Sequence, residues 1–87
     1  MYKIVYEKRA IKAIPSLKAA GLDGKVRKLI DVIRENPWRN PPPYEQLTGD
    51  LKGFYSRRIN IQHRLVYQVY EREMVVKIVS MWTHYEF

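Results

Sequence analysis

SRRINIQHRLVYQV, Ser56 to Val69, alternates with a period of two: Ile59, Leu65, Tyr67 and Val69 take odd positions, and Ser56, Arg58, Asn60 and Arg64 even ones. A strand pair built from this stretch buries the first set and turns the second away from the core. Directly opposed residues of an antiparallel pair share a face, so only an even sum of paired positions keeps Ile59 with Leu65. A three-residue turn over Asn60 to Gln62 meets that condition. The same register sets Arg58 opposite Arg64, where two guanidinium groups repel unless an anion lies between them.

Downstream, MVVKIVSMW is apolar at both parities around Val75 to Val79, the pattern of an inner strand covered on two faces. Upstream, NPWRNPPPYEQLTGD, Asn36 to Asp50, is dominated by proline and turn residues, so it reads as a connection whose stiffness limits where Glu45 can go. YKIVY, Tyr2 to Tyr6, predicts a first strand. Ala10, Ile11, Ile14 and Leu17 mark one face of a helix that Gly21 ends, with Pro15 arguing for a kink or a late start. Val26, Leu29, Ile30 and Ile33 mark a second helix, with Asp23 as N-cap and Asn36-Pro37 as its stop. The expected architecture is α+β: an N-terminal strand, a two-helix hairpin, then an antiparallel β-meander with the helices on one sheet face and the other face open.

At 87 residues, 46% of them hydrophobic, the chain is expected to form one domain over 1–87 with a small core. The absence of cysteine excludes disulfides and thiolate metal sites, and two histidines argue against a multi-histidine site, so neither metal nor cofactor is expected. MYKIVYEKRA has too short an apolar run for a signal peptide, and no stretch approaches the ~20 apolar residues of a membrane span. A cytoplasmic location is expected. No Gly-rich phosphate loop, nucleophile elbow or HExxH pattern occurs.

The net charge of +7 favours polyanionic partners such as RNA, DNA or an acidic protein. Between Asp50 and Glu71 lie Lys52, Arg57, Arg58 and Arg64 with no acidic residue, which makes this segment the first candidate anion site. Guanidinium groups match phosphate oxygens bidentately and can stabilise charge that develops on phosphorus; the plainer reading of Arg58 and Arg64 is a solvated strand face. In the terminal THYEF, His84 has the titration range of a general acid and Tyr85 can hydrogen-bond a phosphate or stack on a base, unless the segment is simply a frayed end. Glu45 suits either a general base or an ordinary salt bridge to an arginine. His63 in the turn, Trp38, Trp82 and most tyrosines read as structural.

EQLTGDLKGFYSRRINIQHRLVYQV, followed by a C-terminal HY, resembles the YoeB/Txe toxins of bacterial type II toxin-antitoxin modules, within the RelE-like, microbial-RNase-like group. The likeness is close over Tyr44 to Tyr85. It implies a toxin that is a metal-independent, ribosome-dependent mRNA endoribonuclease, an mRNA interferase, which blocks translation by 2′-OH transesterification. It also implies a cognate YefM/Axe-like antitoxin whose acidic C-terminal segment wraps the toxin, contact with operator DNA only through that complex, and a homodimer as one oligomeric form. Carried over by position, Glu45 resembles the general base, Arg64 the phosphate stabiliser, His84 the general acid and Tyr85 the phosphate-positioning group. Arg58 is the supporting cation, and Arg57 and Lys52 extend the set of expected RNA contacts. Two departures stand out: Thr48 replaces a lysine common in the family, for which Lys52 is a candidate substitute, and Glu86-Phe87 extend past the HY. Two other readings stay open on sequence alone: a non-catalytic RNA- or ribosome-binding module, and a degenerate toxin that acts with its antitoxin as a DNA-binding corepressor.

Overall fold

The computed structural model of the chain describes residues 1–82. Strand β1 (Lys3–Tyr6) leads into helices α1 (Lys8–Lys12), α2 (Ile14–Ala19) and α3 (Asp23–Glu35), and then into β2 (Glu45–Gln46), β3 (Tyr55–Arg58), β4 (Arg64–Tyr70) and β5 (Val75–Ser80). The strands form one sheet in the order β1-β5-β4-β3-β2. Strand β1 runs parallel to β5, and every other pairing is antiparallel. The expected α+β architecture is thus present, with β1 docked beside the last strand, which makes β5 an inner strand.

The helical half departs from a simple hairpin. The first expected helix is two short ones, because Pro15 at the start of α2 has no N–H and its ring crowds the carbonyl four residues back. The core then takes Ala10, Ala13 and Leu17, while Ile11 and Ile14 turn outward at 51% and 37% exposure. Helix α2 ends as expected at Gly21, whose φ of +71° suits a residue without a Cβ. There the Leu22 amide donates to the Leu17 carbonyl and the Gly21 amide to the Lys18 carbonyl, satisfying two end carbonyls. Asp23 is the first residue of α3 rather than its cap, and its carboxylate suits the positive end of the helix dipole.

The hairpin register is the one the alternation demands: Arg58 pairs with Arg64 and Arg57 with Leu65, and the Ile59 amide donates to the His63 carbonyl across the turn. Odd positions of the hairpin face the helices, where Ile59, Leu65 and Tyr67, together with Val76 and Ile78 of β5, join Leu17, Val26, Ile30 and Ile33 in the main core. The opposite face is not open along its length. Leu47, Val66 and Val79, with Leu51 and Phe54 against them, form a second apolar cluster there, because the segment after β2 folds back across the sheet. The proline-rich connection also contributes a strand, β2, paired to β3 through Glu45–Ser56 and Gln46–Tyr55. Among the described residues, no helix is long and apolar enough to cross a membrane.

Arg57 locks that connection onto the sheet. Its alternation places it on the helix-side face, fully buried, where Nε donates to the Tyr67 hydroxyl (3.2 Å) and one terminal nitrogen to the Pro37 carbonyl (2.9 Å). The other terminal nitrogen donates to the Pro42 carbonyl. The Tyr67 hydroxyl in turn donates to the Pro37 carbonyl (2.9 Å), and the guanidinium lies 5.1 Å from the centre of the Tyr44 ring. Trp38 packs edge-on against Tyr55 at 4.9 Å between ring centres, so the loop is held by rings as well as by hydrogen bonds. A buried charge is tolerated only when its donors are satisfied, and truncating it leaves carbonyls dry and unpaired at roughly 1–3 kcal/mol each.

Arg57→Met should therefore lose about 2–5 kcal/mol of stability, read as a lowered urea midpoint at unchanged slope. Burial pushes the Tyr67 phenol above its ordinary value of 10.0, against the opposing pull of Arg57. The neutral phenol is the folded form, so this contribution is complete below pH 10 and is lost as pH rises through the higher folded value. The alkaline limb of stability against pH should accordingly be shallower in Tyr67→Phe than in the parent.

Candidate active site

Pairing across three strands collects polar side chains at one end of the helix-free face. Glu45 on β2 pairs with Ser56 on β3, and Arg58 on β3 pairs with Arg64 on β4, so all four project to the same side. Arg64 is clamped from two directions: Nε donates to the Ser56 hydroxyl at 2.6 Å and a terminal nitrogen to Glu45 Oε1 at 2.8 Å. Its side chain is 12% exposed, whereas the Glu45 side chain is 60% exposed. The cation is therefore fixed by its surroundings, and the carboxylate stands at the solvent edge.

Pro43, Tyr44, Glu45, Arg58 and Arg64 line a pocket of about 320 Å³. Within it one carboxylate faces two guanidinium groups, and of these two only Arg64 has a carboxylate partner among the described residues. An anion entering there meets the second guanidinium directly and can compete with Glu45 for the first. That combination can hold a phosphodiester and place an oxygen base beside it. Among the described residues, no group of three or more His, Asp or Glu side chains is arranged to hold a metal ion.

The structure brings Glu45, Arg58 and Arg64 together and separates others from them. Arg57, expected as a phosphate contact, is not one: it lies on the opposite face, fully buried, with its donors spent on Pro37, Pro42 and Tyr67. Lys52 is exposed at the end of the turn Gly49–Leu51 and does not line the pocket. His84 and Tyr85 lie outside the described residues. His63 is structural, buried and stacked on Trp82 with ring centres 4.0 Å apart. The sequence alone assigns no site role to Ser56 or Tyr44. Ser56 shares the even parity of the arginines and is buried, and that parity is the signal that finds it.

A family model described as "YoeB-like toxin of bacterial type II toxin-antitoxin system" matches residues 18–85. Toxin YoeB of Synechocystis is 37% identical over 62 residues, spanning 71% of this chain and 70% of its own length. A solved YoeB/ParE toxin from Agrobacterium tumefaciens superposes with a TM-score of 0.86 at 27% identity, covering 95% of this chain and 99% of that one. A heterotetrameric YoeB-YefM toxin-antitoxin complex from Staphylococcus aureus matches with a TM-score of 0.80 at 31% identity, covering 98% and 99%.

Because the Glu45–Arg64 pair is solvent-edged, its removal should barely move stability. Glu45→Ala is expected within about 1 kcal/mol of the parent in chemical denaturation, so that any functional loss is local.

Proposed function

The chain belongs to the YoeB-like toxins of bacterial type II toxin-antitoxin systems, and we propose that it is a metal-independent, ribosome-dependent endoribonuclease that stops translation by cutting mRNA. One observation carries the proposal: Glu45 contacts Arg64 at the pocket that Arg58 also lines. A carboxylate suited to general-base work and two cations suited to phosphate thus converge on one site.

In this reading Glu45 accepts the proton of a ribose 2′-OH, and the oxygen attacks the adjacent phosphorus. Arg64 and Arg58 stabilise the extra negative charge on the pentacoordinate phosphorus. The bond from phosphorus to the 5′-oxygen breaks, His84 protonates that oxygen, and Tyr85 positions the phosphate. The products are a 2′,3′-cyclic phosphate and a free 5′-hydroxyl. Every proton transfer has a side chain to perform it.

The same membership supports a YefM-like antitoxin as partner, since the Staphylococcus aureus relative is seen with YefM. An acidic C-terminal segment of such a partner would be drawn to a chain of net charge +7 and would cover the pocket. Operator DNA would be reached only through that complex, in the cytoplasm.

The test is in vitro translation of a defined mRNA with purified protein, mapping new 5′ ends with and without ribosomes. Glu45→Ala, Arg64→Ala and His84→Ala should each cut about 10²- to 10⁴-fold more slowly, or roughly 3 to 5 kcal/mol of barrier, while keeping most ribosome affinity. Variants that arrest translation as strongly as the parent would sink the catalytic assignment and leave a phosphate-holding module in its place.

A further inference from the structure

A second cleft, of about 240 Å³, opens on the far side of Arg58. It is lined by Lys25, Lys28, Leu29 and Val32 of α3, by Pro42 of the connection, and by Arg58 and Ile59 at the hairpin end. The α3 residues fall at i, i+3, i+4 and i+7, so one stripe of the helix supplies two lysines and an aliphatic floor. Lys25, Lys28 and Arg58 are exposed, no carboxylate lines the cleft, and among the described residues none of the three cations has a salt-bridge partner. Elsewhere on α3 the pattern differs: Arg34 is neutralised by Asp31 at 3.1 Å. Arg58 belongs to both this cleft and the candidate active site.

We propose that this cleft is a second subsite for the RNA strand being cut, seating the nucleotide one step beyond the two that flank the scissile phosphate, with Lys25 and Lys28 on the backbone. The proposal rests on the nuclease reading above. A strand whose scissile phosphate lies between Arg58 and Arg64 must leave the pocket, and the cleft that shares Arg58 offers an adjoining surface whose cations have no salt-bridge partner among the described residues. The chemistry suits a single strand: cations at the rim meet phosphates, and the apolar floor of Leu29, Val32 and Ile59 accepts a sugar and the face of a base. Arg58 then bridges two successive phosphates. An arginine with no carboxylate partner among the described residues is free to do so.

The experiment measures binding of a labelled, uncleavable 2′-O-methyl RNA dodecamer by fluorescence anisotropy over a range of salt. The full chain is compared with Lys25→Gln/Lys28→Gln and with Lys18→Gln/Arg72→Gln, which removes the same charge away from the cleft. The first variant should lose about 1.4 from the slope of log affinity against log salt, at roughly 0.7 for each lost single-strand phosphate contact; the second should lose little. A 2′-O-methyl dinucleotide, which fills only the active-site pocket, should compete equally well against the parent and the first variant. Equal loss in both variants, or equal weakening of the dinucleotide, would mean a general field effect and overturn the subsite. Weakened ribosome binding with unchanged dodecamer binding would also overturn it, by assigning the cleft to another partner. Parent protein that cleaves while its RNA binding ignores the lysines removes the subsite alone. Lysine-dependent binding by a parent that never cleaves removes the nuclease reading alone and leaves a strand-binding cleft.

Discussion

Everything at the candidate site hangs on the guanidinium of Arg57, buried without a carboxylate partner among the described residues. Desolvating such a group costs several kcal/mol, and the protein meets that cost with two backbone carbonyls, a phenol and aromatic faces rather than with a counter-charge. Both carbonyls come from the proline-rich connection, at Pro37 and Pro42. Prolines have no amide hydrogen, so this loop has few donors for closing turns of its own, and the arginine supplies them from the sheet. The residue that follows the pinned segment by three positions is Glu45. A charge in the core on one face thereby fixes where a carboxylate stands on the other.

The sheet divides its labour by parity. Along β3, Arg57 points to the helices and Ser56 and Arg58 to the site, so adjacent arginines with the same side chain carry opposite duties. Ser56 is the hinge between them: it is buried, it holds Arg64 through Nε, and its paired neighbour across β2 is Glu45. The second apolar cluster of Leu47, Val66 and Val79 backs this row and anchors the chain just beyond Glu45. Precision at the site thus comes from strands and packed side chains rather than from a free loop.

Much of this was legible in the alternation of Ser56 to Val69. Parity and an even register sum sufficed to place Arg58 beside Arg64, because a one-residue slip would have put every apolar side chain in water. The same rule applied to Arg57 puts it among Ile59, Leu65 and Tyr67, but its backbone acceptors are carbonyls 15 and 20 residues away, which neither charge nor hydropathy reveals. Two residues of β2 are too few to leave a period, and its pairing is imposed by the pinned connection. The break between α1 and α2 was signalled by Pro15; the outward turn of both Ile11 and Ile14 was not, since that depends on how the shortened helices pack against the sheet. The closing of the supposedly open face was likewise hidden, because Leu47, Leu51 and Phe54 acquire a common surface only once the chain turns back across the sheet.

The asymmetry between Glu45 and Arg64 bears on how a pocket of this kind rests and works. An exposed ion pair contributes less than about 1 kcal/mol, so a phosphate that brings two oxygens to Arg64 can displace Glu45 at little cost. Arg64 need not move, because Ser56 continues to hold Nε while the terminal nitrogens change partner. The carboxylate, released but still tethered by β2, is left beside the bound phosphate, which is where the proposed base must act. In the proposed reaction Glu45 would be both a resting counter-ion and the base, two roles that one residue can combine only if the cation is rigid and the carboxylate is not.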